Sequence, residues 1–68
     1  MIKAPLFMIQ YHNYEFDRIV MLGENHPEKS ATYKTILCEI SRAVIAYQRG
    51  DCTATVAMER IAKAAKDA

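Results

Sequence analysis

The chain has 68 residues, 51% of them hydrophobic and 25% charged, with nine Lys or Arg against eight Asp or Glu and a formal net charge of +1. That size holds a single small domain, and the balance is that of a globular chain rather than a disordered tail or a membrane span. Two glycines and two prolines are too few for an all-β sandwich, which needs turn residues every ~8–12 positions, so a few long helices are expected.

In chain order, Leu6 to Ile9 is a short apolar run that fits either a helix or an extended arm, and Met1 to His12 is left open between the two. Phe16, Ile19 and Val20 have helical spacing, which predicts a helix from about Tyr14 to Leu22 with Asn13 as its N-cap and Gly23 as its terminator. Gly23 to Lys29 reads as a polar loop. The clearest segment is Ser30 to Arg49. Tyr33, Leu37, Ile40, Val44 and Tyr47 recur there at spacings of four, three, four and three, and Ile36 and Ala43 broaden the stripe. Asn25 or Ser30 can cap this helix, Pro27 is permitted in the first turn, and Gly50 stands where a left-handed C-terminus is wanted.

Asp51 is then expected to cap a last helix running from Cys52 to about Lys66, with Val56, Ala57, Met58, Ile61, Ala64 and Ala65 apolar. Small residues at 54, 57, 62 and 65 would let its axis approach the preceding one, Glu59 and Lys63 are placed for an i,i+4 ion pair, and Lys63 and Lys66 suit the negative end of the helix dipole. So short a connection forces the two helices antiparallel. The expected architecture is one all-α domain, an antiparallel helical hairpin with an N-terminal helix or arm.

A chain this short hides only about 60% of its unfolded surface by itself, and natural solutions at this size add disulfides, a metal or a second subunit. Cys38 and Cys52 are the only cysteines. The N-terminus MIKAPLFMIQ lacks a secretory pattern, so a reducing cytoplasm is the expected setting. About 11 residues of helix would hold Cys38 roughly 16 Å from Cys52 along the axis, too far for an intramolecular bridge. Both thiols are expected to behave as small buried apolar groups, with a bridge between subunits left open. His12, His26, Cys38 and Cys52 show no metal-ligand spacing, and neither a metal nor a cofactor is expected. That leaves a second subunit.

The apolar residues point the same way. Cys38 and Ile45 lie seven apart on a line away from the Tyr33 to Tyr47 stripe, so the long helix has two faces to cover. Phe7, Met8, Tyr11, Tyr14, Phe16 and Met21 form a dense aromatic and methionine set of the kind enriched at interfaces, too many for three short helices to hide.

Other activities have thinner support. His12, Glu15, Asp17 and His26 could supply acid–base groups but show no catalytic spacing, and no small-molecule substrate is expected. Arg49, Gly50 and Asp51 spell an integrin-recognition tripeptide, yet they sit where a helix turn wants a glycine and a capping aspartate. A helix-turn-helix regulator is the alternative reading, with Arg60, Lys63 and Lys66 meeting phosphates. Its second helix would start on Cys52, Thr53, Ala54 and Thr55, which offer little for base reading. A membrane-surface helix would need large apolar residues opposite a basic face, which residues 52 to 66 do not have.

The stretch Ala46, Tyr47, Gln48, Arg49, Gly50, Asp51, with alanines following, resembles the turn of a single tetratricopeptide-type hairpin. Size, near-neutral charge and helical hairpin together resemble the small early proteins of bacteriophages that inhibit a host regulator, such as quorum-sensing anti-activators. That likeness rests on architecture and implies a dimer that docks onto a transcription factor or another host protein, with no chemistry of its own. The expectation is therefore a cytoplasmic homodimer that binds another protein. Arg42, Gln48, Arg49 and Arg60 are the candidate partner contacts, because arginine is favoured at hot spots. Leu37, Ile40, Val44, Tyr47 and Ile61 are the candidate core or dimer contacts.

Overall fold

The computed structural model describes residues 1–68 and is all-helical. Helix α1 spans Leu6–Asn25, a three-residue 3-10 turn spans Pro27–Lys29, helix α2 spans Ser30–Gln48 and helix α3 spans Ala54–Lys66. The chain runs up, down and up. Ile2 N–H donates to the Gln48 carbonyl (2.7 Å) at one end, while Gly23 lies against Tyr33 at the other, so α1 and α2 are antiparallel. The molecule measures 36 × 18 × 18 Å.

The undecided N-terminal segment resolves into both alternatives. Residues 1–5 are extended, with Ala4 buried, and helix begins at Leu6 behind Pro5, whose carbonyl accepts from Met8 and Ile9 N–H. The expected Tyr14 to Leu22 helix is therefore too short at both ends. No breaker lies between Pro5 and Pro27, so Asn13 is interior to α1, with its side chain against the His12 ring (3.0 Å). Gly23 does not end the helix. It stays helical, with the Tyr33 ring 3.7 Å from where a Cβ would stand, an ordinary contact distance.

At the α1–α2 connection neither Asn25 nor Ser30 caps α2. Asn25 still belongs to α1, and Ser30 has helical backbone angles, whereas an N-cap must be non-helical. The Pro27 turn instead feeds straight into α2, with Lys29 N–H bonded to the His26 carbonyl (2.9 Å).

The α2–α3 turn is a Schellman motif. Gly50 adopts φ +84°, its N–H bonds to the Tyr47 carbonyl, and Asp51 N–H bonds to the Ala46 carbonyl, both at 2.9 Å. Asp51 lies two residues ahead of the N-cap position of α3 and does not open that helix. Thr53 caps α3 instead, its hydroxyl accepting from Val56 N–H at 3.2 Å, so α3 begins two residues later than expected.

Met8, Ile19, Ile40, Ala57 and Ile61 are fully buried, and Tyr33, Ile36, Ala43, Val44, Ala64 and Ala65 complete the centre. Leu37 and Tyr47 pack on it half-buried. Leu37, Ile40, Val44, Tyr47 and Ile61 thus all serve the core. Ala62, expected at the α2–α3 contact, faces solvent, and Ala64 takes its place. α2 is the central element, and α1 and α3 flank it.

Candidate partner-binding surface

One side chain hydrogen-bonds across the α1–α3 contact. Arg18 donates from Nη2 and Nε to Glu15 Oε2 (2.8 and 3.2 Å) and from Nη2 to the Ala65 carbonyl (3.0 Å). That carbonyl lies in the last turn of α3, where it also accepts from Ala68 N–H (3.2 Å) and where the helix dipole favours a cation. Glu15 is the one buried charged residue of the chain, and it aims the guanidinium. Its carboxylate is engaged by the Arg18 guanidinium. The other acid–base candidates do not converge on it. The His12 ring stacks on Phe16 (centroids 5.5 Å apart), Asp17 is exposed, and His26 sits 3.4 Å from Glu28 beyond the end of α1, about 20 Å along the axis from His12.

Two of the four arginine-rich contact candidates come together. Arg42 on α2 and Arg60 on α3 line one open groove of about 470 Å³, joined by Lys63, with Ala43 and Ala64 as its floor and Glu39 and Asp67 on its walls. The groove is open there because both floor residues stop at Cβ. None of the three cations lies within 4.0 Å of a carboxylate, so all three are free to pair with a partner. Glu59 and Lys63, expected to bridge along α3, are likewise unbridged. Lys63, read from the sequence as a phosphate contact or an ion-pair partner of Glu59, joins the candidate partner contacts through its i,i+3 spacing from Arg60.

Gln48 and Arg49 are not part of this groove. Gln48 is half-buried, with its carbonyl bound by the N-terminal segment, and Arg49 projects from the turn, about 10 Å along the axis from Arg42.

The apolar set divides sharply. Met8 is fully buried and Tyr11 and Phe16 are half-buried, while Phe7 is 57%, Tyr14 65% and Met21 62% exposed, beside Leu6 at 70%. On α2, Ile45 is 41% exposed and Cys38 is exposed, so the second face of this helix stays bare. The expectation that Cys38 is buried is overturned, because α1 packs on the Tyr33, Ile36 and Ile40 side and leaves the Cys38 line uncovered. Cys52 is half-buried, and both thiols are free. No group of three or more His, Cys, Asp or Glu could hold a metal ion, and no helix is long and apolar enough to cross a membrane.

No protein-family model, curated protein or solved structure matches this chain.

Proposed function

We propose that this chain is a non-enzymatic protein-interaction module, a homodimer acting in the cytoplasm that binds and modulates another protein, as an inhibitor of a host transcription regulator would. The observation that carries the reading is the line of large apolar side chains on the outer face of α1, with Phe7, Tyr14 and Met21 each more than half exposed. Leaving such groups in water forgoes about 25 cal/mol for each Å² that a partner could cover. The target contact is the groove of Arg42, Arg60 and Lys63, which would take an acidic, hydrogen-bonding segment. Glu39 and Asp67 on its walls add acceptors between the three cations, so the groove suits a segment that carries N–H donors beside its carboxylates better than the unbroken negative charge of a run of phosphates.

The test is a comparative pulldown from the native host with the wild-type chain and with the double variant R42E/R60E. A protein retained by the first and lost by the second supports the reading. The same set recovered with both removes the groove from it. A salt titration against duplex DNA separates the helix-turn-helix alternative, because phosphate contacts give a steep negative log–log slope.

A further inference from the structure

The outer face of α1 is symmetric about its midpoint. Phe7, Tyr14 and Met21 are spaced seven apart, so they fall on one line along the helix, and Tyr14 lies halfway. Seven residues on either side span about 10 Å each way. The geometry points to a two-fold, antiparallel pairing of α1 with α1 of a second copy, with Tyr14 meeting Tyr14 on the axis and Phe7 of each chain covered by Met21 of the other. This inference names the surface for the homodimer proposed above and rests on that reading.

The helix dipoles and the flanking polar residues set the direction. About a two-fold axis at Tyr14, exposed Gln10 of one copy falls within one residue of exposed Asp17 of the other, on the same flank and twice by symmetry, so the amide can donate to the carboxylate. The helix dipoles oppose each other favourably only in the antiparallel arrangement.

Area and shape agree. A large side chain presents about 150–250 Å², so Leu6, Phe7, Tyr14 and Met21 at their observed exposures offer on the order of 450 Å² per copy. With the flanking polar residues, the pair passes the roughly 1,000 Å² that a specific interface needs. Phe7 also forms the rim of an apolar groove of about 420 Å³ between α1 and α3, lined by Tyr11, Ala54 and Met58. Met21 of the second copy arrives at the level of Phe7, where an unbranched thioether can fill such a groove and contact the ring.

The experiment is sedimentation equilibrium on the wild-type chain, on Y14E, on Y14K and on their equimolar mixture, with circular dichroism confirming that helix content is unchanged. Each single variant places two like charges on the axis and should weaken dimerisation by about 100-fold, and the mixture should restore it. Single variants that dimerise like wild type overturn the α1 pairing while leaving the homodimer reading standing. Wild-type chain that stays monomeric at every concentration overturns both. Dissociation without recovery in the mixture places Tyr14 off the axis and overturns the register. A second measurement is independent of those folds. In a C38S/C52A background, an equimolar mixture of F7C and M21C should give mainly the mixed disulfide on oxidation, and a predominance of F7C joined to itself overturns the antiparallel direction.

Discussion

α1 and α2 are nearly equal in length, 20 and 19 residues, and both are amphipathic, yet they hide their apolar residues unequally. α2 lies between two neighbours and buries Tyr33, Ile36, Ile40, Ala43 and Val44. α1 lies at the edge, buries only Met8, Glu15 and Ile19, and leaves Leu6, Phe7, Tyr14 and Met21 in solvent. A central helix needs a broad apolar face and gets one. A flanking helix needs about half as much, so an equally apolar flanking helix carries residues that the fold itself does not use. In this chain the proposed interaction surface follows from that surplus.

The comparison can be broken most forcefully at Ile40, which is fully buried where all three helices meet. Ile40→Ala is expected to cost about 2–5 kcal/mol, read as a fall in the urea midpoint, and a charged residue there should unfold the chain altogether. A midpoint shift below about 1 kcal/mol would mean that α2 is not the centre of the molecule. Next is Arg18→Ala, which leaves Glu15 buried without its partner and removes the side-chain bond to the Ala65 carbonyl. About 1–3 kcal/mol should be lost, with hydrogen exchange rising first in the last turn of α3.

The two glycines should answer with opposite signs. At Gly50, φ +84° penalises any side chain, and Gly50→Ala should cost about 1–2 kcal/mol of thermal stability. At Gly23, a Cβ would meet the Tyr33 ring at 3.7 Å, an ordinary contact, so Gly23→Ala should add about 0.5–1 kcal/mol by its helix preference. The smallest effect is expected on the outer face of α1. Tyr14→Ala, measured at concentrations where the chain is monomeric, should leave folding stability within about 0.5 kcal/mol of wild type. A larger loss would show that Tyr14 supports the fold of its own chain, and the contrast between inner and outer faces would disappear.

Much of this was legible in the order of residues. The stripe from Tyr33 to Tyr47 specified α2 almost to the residue, because a 3.6-residue period has one solution when the face is that regular. Gly50 announced the turn through the backbone angle that only glycine adopts without strain. The surplus of aromatic and methionine residues in the first 21 positions was also visible, but the division between Met8, which is buried, and Phe7, Tyr14 and Met21, which are not, was not. That division depends on how α1 is rotated against α2, and nearly every turn of α1 carries apolar residues on more than one side.

Local pattern alone determined an all-helical chain, a long central helix and a tight reversal at Gly50, since each depends on interactions within a few residues. Only the tertiary structure decided that Asp51 closes one helix while Thr53 opens the next, that Glu15 and Arg18 tie α1 to the end of α3, and that Arg42, Arg60 and Lys63 share a groove. Each of these joins positions whose relation is set by how three helices pack, and packing is settled by the shape of the whole core, not by any segment of it.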